Sequence, residues 1–227
     1  AGIEDFVLLE KAEQVGGTWR DNNYPGCACD VQSHMYSFSF EGNPDWSARY
    51  SGWEEIQDYI LRTTEKHGIP EKTRFNAEVC GAHFDQDKAL WTLDLKDGSQ
   101  VVCQHWVLAS GPLHVPQIPN FPGLDRFQGK VFHSSQWDHD YDLTGKKVVS
   151  VGTGASAIQY VPRIAPDVER LTVVQRTPGW IIPRDERRYS KLSKTLFRRF
   201  PLLRKLHRVR LYWSNESRVV PIFHPRL

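Results

Sequence analysis

Residues 147–177 read KVVSVGTGASAIQYVPRIAPDVERLTVVQRT. Lys147 to Val151 is a β-branched run with strand character, and Gly152 to Ala157 follows as G-x-G-x-x-A. Ala157 to Ala165 continues as a helix, and a second strand, LTVVQ, ends at Gln175. Strand, glycine turn, helix and strand stand in the order of a βαβ dinucleotide-binding unit. Gly152 makes the tight turn, Gly154 leaves room for a pyrophosphate, and Ala157 lets the helix lie close on the strand. Thr153, Ala155 and Ser156 complete the turn, whose free amides would face the phosphates. A nicotinamide site that prefers NADH usually carries Asp or Glu after the second strand; this chain has Arg176 and Thr177. A guanidinium fork and a hydroxyl suit a 2′-phosphate, so NADPH is expected. Alone, Arg176 would read equally as an exposed strand-end cation.

Working back from this unit, VLASGPLHVPQIPNFPG at 107–123 is a strand running into a glycine and a proline-rich connector. Prolines at this density indicate a stiff extended link. Before it, VCGAHFD, LWTLDL and VVCQHWVLAS alternate around a turn at Lys96-Asp97-Gly98, the pattern of a small antiparallel meander. Helical spacing runs from about Trp46 to Gly68, with Ile56, Tyr59 and Ile60 as core and Gly68 with Pro70 as the stop. At the other end, Phe6 to Leu9 is a short apolar strand closed by Glu10. In a Rossmann unit, an acid at the end of the second strand binds the adenine ribose, about 20 residues beyond a G-x-G-x-x-G. Glu10 fits that role, and also the plainer one of a surface carboxylate; the glycine loop would lie before Ala1. The expected fold is therefore α/β, two Rossmann-like dinucleotide-binding domains, both incomplete, with a small antiparallel β meander. Domain boundaries are expected at 1–115, 116–146 as linker, and 147–227.

Composition narrows the function classes. With 227 residues, 40% hydrophobic and 25% charged, the chain can bury a core, and a net charge of +2 gives no electrostatic footprint for nucleic acid. The four cysteines, Cys27, Cys29, Cys80 and Cys103, lack zinc-ligand spacing and read as reduced thiols of a cytoplasmic protein. His83 and His105 have no third ligand at metal spacing, so no metal is expected. No run approaches the roughly 20 apolar residues that span a bilayer. The basic stretch KLSKTLFRRFPLLRKLHRVRLYW, 191–213, reads first as a solvated helical face with Leu196, Leu203, Leu206 and Leu211 packed inward. Peripheral membrane contact is its second reading.

Two segments carry a family resemblance. Phe127, Gly129, His133 and Trp137, within FQGKVFHSSQW, reproduce F-x-G-x-x-x-H-x-x-x-W. Upstream, GGTWRDNNYPGCACDVQSHMYSFSF at 16–40 contains G-G-x-W and Y-P-G-x-x-x-D. Together they resemble Baeyer–Villiger monooxygenases, of the class B flavin-containing monooxygenases. The resemblance implies FAD as well as NADPH. It implies that Glu10, Gly16, Gly17, Thr18, Trp19, Asp30 and Tyr36 contact or border the flavin nucleotide, and that the backbone of Val79 contacts the adenine. Asp30 would also hold an active-site arginine through a charge-assisted hydrogen bond, the catalytic role assigned here; without the family it reads as a turn carboxylate or helix cap. The signature residues would organise the interdomain region, His133 changing partners as donor, acceptor or cation. The implied reaction inserts one oxygen atom of O2 beside a ketone carbonyl to give an ester or lactone. Oxygenation of amines or sulfides by a related enzyme, and nucleotide binding without turnover, are the alternatives.

Overall fold

In the computed structural model, the described residues are 2–111, 115–179, 181 and 184–223, side chains being described as far as Ser217. Pro112 of the expected stiff link lies outside them. The elements, in chain order, are β1 (Leu8–Leu9), α1 (Thr18–Asp21), α2 (Trp53–Lys66), β2 (Thr73–Arg74), β3 (Val79–Asp85), β4 (Leu90–Leu95) and β5 (Gln100–Cys103). There follow β6 (Lys147–Val151), α3 (Ala155–Ile164), β7 (Arg170–Val174), α4 (Lys191–Arg199) and α5 (Pro201–Phe223). This is an α/β chain divided into two compact units, residues 1–21 with 57–133, and residues 22–56 with 134–227.

In the first unit β1 and β2 pair in parallel, Leu8 opposite Thr73. β3, β4 and β5 form the expected antiparallel meander in that order. The β4–β5 turn places Gly98 at φ +83°, in the left-handed region, and Gly98 donates to the Leu95 carbonyl. Alternation along β4 buries Leu93 and Leu95, two apart, on one face. The strand expected at Val107 does not form: β5 ends at Cys103, and Val107 and Leu108 are exposed. An apolar segment becomes a strand only when a neighbour pairs its amides, and no strand among the described residues does so here.

The second unit holds the G-x-G-x-x-A turn. β6 and β7 pair in parallel from Lys147↔Arg170 to Val151↔Val174, with α3 as the crossover. The helix expected from Trp46 begins at Trp53, seven residues later. Residues before it bond to a neighbouring segment instead, Cys29 and Ser33 donating to the Ser51 and Arg49 carbonyls. Trp46 is fully buried outside the helix, its indole N–H donating to Ser37 Oγ at 3.1 Å. Ile56 and Tyr59 are core residues as expected, and Gly68, at φ +62°, ends the helix.

The basic stretch folds as α4 and α5, broken at Pro201. Of the four leucines expected inward, only Leu211 is buried; Leu196, Leu203 and Leu206 are exposed. The inward stripe of α5 is His207, Leu211 and Asn215, spaced four apart on one helical face. Asn215 and Gln32 exchange hydrogen bonds at 3.0 and 3.2 Å, and Arg208 Nη1 donates to the carbonyls of His34 and Ser37. Polar complementarity, not leucine burial, sets the face.

Candidate functional site

The glycine turn of the second unit presents open backbone. Gly152, at φ +96°, donates to the Val174 carbonyl at 2.8 Å, which closes the turn onto β7. Gly154 is the N-cap of α3 with no side-chain cap, so the first amides of the helix are aimed outward. A Cβ added at Gly152 or Gly154 would meet nothing within 4 Å, whereas Ala157 lies on the buried face of α3. Thr153, Ala155 and Ser156 line the same turn, and Arg176 and Thr177 are exposed just past β7. Such a turn binds anions through amides and helix dipole.

Segment 22–56 brings Asp30 to this helix. The Asp30 Oδ1 accepts from Gln159 Nε2 at 3.0 Å, and the rest of the Asp30 side chain is exposed. Gly26, at φ +79°, touches α3 so closely that a Cβ there would stand 2.9 Å from the Gln159 carbonyl oxygen. The Y-P-G-x-x-x-D segment is thus shaped by α3 itself. Next to it lies a cleft of about 680 Å³ lined by Tyr24, His139, Arg163, Arg184 and Arg188, with Glu54 and Glu186 offsetting part of their charge. Burial pushes the Cys27 and Cys29 thiols up to about 11, which leaves both protonated and unreactive at neutral pH. Tyr36 is partly exposed on the same segment.

The remaining expected residues lie in the first unit. Glu10 follows β1, its backbone paired with Arg74 and Ala77; its Oε1 accepts from the Ala12 amide at 2.9 Å and from Arg20 at 3.4 Å. Gly16, at φ +132°, would set a Cβ against the Gln57 amide oxygen, so no other residue fits there without displacing Gln57. Gln57 is buried, its Nε2 donates to the Val15 carbonyl at 2.8 Å, and its Oε1 has no hydrogen-bond partner among the described residues. Thr18 and Trp19 open α1, and Val79 opens β3, half-buried.

The F-x-G-x-x-x-H-x-x-x-W residues divide between the units, Phe127, Gly129 and His133 in the first and Trp137 in the second. The Phe127 ring occupies the place of a Gly129 Cβ, which explains that pair. A 3₁₀ turn, Ser134–Gln136, leads to Trp137. Trp137 packs 5.3 Å from the Tyr160 ring, and Tyr160 hydrogen-bonds Ser150 of β6 at 2.7 Å. The signature tryptophan therefore buttresses the β6–α3–β7 unit. Three contributors escaped sequence reasoning, Gln159, Gln57 and Tyr24, because their partners are distant in the chain or carry no motif.

A family model described as flavin-binding monooxygenase-like matches residues 2–221. The chain belongs to this family. It is 51% identical over 219 residues to a Baeyer–Villiger monooxygenase of Pseudomonas aeruginosa, covering 96% of this chain and 42% of that protein. A Baeyer–Villiger monooxygenase of Streptomyces coelicolor is 50% identical over 218 residues, again 42% of its length. Among solved structures, OTEMO in complex with FAD and NADP superimposes with a TM-score of 0.80 at 35% identity, over 86% of this chain and 39% of that one. The chain thus spans about two fifths of the length of the relatives it matches.

Proposed function

We propose that the protein acts as an FAD- and NADPH-dependent Baeyer–Villiger-type monooxygenase, which inserts one oxygen atom of O2 next to a ketone carbonyl to give an ester or lactone. The observation that carries the reading is the full F-x-G-x-x-x-H-x-x-x-W signature in a chain 51% identical to a protein of that name. The family as a whole also fits oxygenation of amines or sulfides, and the signature favours ketones.

The residues present fit both cofactors. For NADPH, the open turn at Gly152 and Gly154, with Thr153, Ala155, Ser156 and Ala157, would hold the pyrophosphate. Arg176 and Thr177 would hold the 2′-phosphate. For FAD, the orphaned Gln57 Oε1 beside Gly16 offers a buried acceptor, and Gly17, Thr18 and Trp19 extend the same loop. Glu10 would take the ribose, with Val79 at the adenine and Tyr36 at the border. Bound together, the cofactors supply reducing electrons and oxygen activation. Asp30 holds the negative charge that would orient an arginine at the reacting carbonyl, and its placement beside α3 keeps it next to the nicotinamide-binding side. We assign residues 1–115 to FAD binding, 147–227 to NADP binding, and 116–146 to the link between them. This is a division by ligand, not by packing.

Product analysis tests the reading. Incubated with FAD, NADPH and O2, the complete polypeptide is expected to convert a cyclic ketone to its lactone in preference to oxidising a tertiary amine or a sulfide. N-oxide or sulfoxide as the main product would move it to the sister activity. Nucleotide binding without product would leave a binding protein.

A further inference from the structure

Gln159 lies one turn into α3, and its side-chain amide is saturated by a single segment far away in sequence. Oε1 accepts from the Tyr24 hydroxyl at 3.0 Å and from the Ala28 amide at 3.1 Å. Nε2 donates to the Ala28 carbonyl at 2.9 Å and to Asp30 Oδ1 at 3.0 Å. An amide side chain has two lone pairs and two N–H groups, and here all four are used. Burial pushes the Tyr24 hydroxyl up to about 12, so it remains a donor throughout the neutral range. Gly26, between these partners, rests against the backbone of the same helical turn. The segment therefore has little slack on α3.

We infer that Gln159 is a positioning residue that fixes the Asp30 carboxylate to the helix opening at the G-x-G-x-x-A turn. The functional weight of this tie rests on the reading of Asp30 as the arginine-orienting carboxylate. The chemistry demands glutamine. Glutamate would keep both acceptor contacts but set an oxygen against the Ala28 carbonyl and the Asp30 carboxylate. Asparagine is one methylene too short to reach all four groups. A shift of the first turn of α3 when a dinucleotide binds would reach the Asp30 carboxylate through this side chain.

The test uses amide hydrogen exchange at Ala28 and the side-chain carbonyl ¹³C signal of residue 30, neither of which requires turnover. Gln159→Leu, close in volume, is expected to speed exchange of the Ala28 amide about tenfold, as loss of a hydrogen bond of typical net strength would. Gln159→Glu should move the Asp30 signal and raise exchange as well. Adding Asp30→Asn to Gln159→Glu exchanges donor for acceptor between residues 159 and 30, and should recover part of that loss, the Ala28 carbonyl remaining without its donor. In the complete enzyme, Gln159→Leu should lower kcat for the ketone while leaving KM for NADPH within about threefold, since its side chain bonds Tyr24, Ala28 and Asp30 and not the glycine turn. Unchanged Ala28 exchange in folded Gln159→Leu, or no recovery in the swapped pair, would overturn the inference. Should Gln159→Leu not fold, the two isosteric variants decide alone. Absence of ketone oxidation would sink the functional reading and leave the exchange result standing.

Discussion

Single residues in this chain are constrained by partners that local sequence does not name. Gly26 is the clearest case, because it stands at φ +79° and its missing side chain faces a backbone oxygen that cannot turn away. Gly26→Ala is expected to cost about 1–2 kcal/mol for the left-handed backbone. A further ~1–3 kcal/mol comes from overpacking against α3. Gly145→Ala, at φ +65° with nothing within 4 Å, should lose only the first of these. Urea unfolding of the two variants separates the contributions; equal losses would mean that contact with α3 is not tight. From the sequence, Gly26 was legible as part of Y-P-G-x-x-x-D but its reason was not. The helix it touches begins about 130 residues later, and single-chain reading has no term for that approach.

Elements built from local chemistry were legible, and those fixed by distant partners were not. The β6–α3–β7 unit follows from β-branched runs and a glycine turn within thirty residues. The inward face of α5 does not, because its partners Gln32, His34 and Ser37 lie on another segment. His34 is buried among Tyr189, Phe197 and His207, ring centroids 4.7–5.2 Å away, and its Nε2 has no hydrogen-bond partner among the described residues. Burial first, then the charges of His207, Arg204 and Arg208, lower its pKa to about 3; burial chiefly lowers that of His207 too. The unfolded chain, with an ordinary histidine pKa near 6.5, therefore binds the proton that the folded chain refuses. Stability from the neutral ring is complete above about pH 6.5 and is lost as pH falls toward 3, by at most about 1.4 kcal/mol per pH unit. His34→Phe keeps an aromatic ring and removes the orphaned nitrogen, so its stability should fall less steeply over that window. Parallel pH curves for parent and variant would show that the ring does not carry this dependence.

At the scale of the whole molecule, the packing units and the sequence segments do not coincide. The chain passes from one unit to the other at residues 21–22, 56–57 and 133–134, so segment 22–56 folds with the nucleotide unit and not with the sheet of β3–β5. That grouping was illegible in the sequence, where 16–40 reads as one continuous motif; it is set by Gln159, Gly26 and the Gln32–Asn215 pair, all long-range. It makes a distinctive ligand prediction. A ligand that binds only the folded state stabilises it by RT ln(1 + [L]/Kd), about 2.7 kcal/mol at a hundredfold excess over Kd, or about a hundredfold slower exchange for amides that open by unfolding of that unit. NADP⁺ is therefore expected to slow exchange in β6, α3 and β7, and also at Cys27, Cys29 and Ser33, whose amides bond within segment 22–56. The amides of β3, β4 and β5 should change little. Protection confined to residues 147–177 would mean that 22–56 opens independently of the nucleotide unit, and equal protection of β3–β5 would mean that the two units unfold as one.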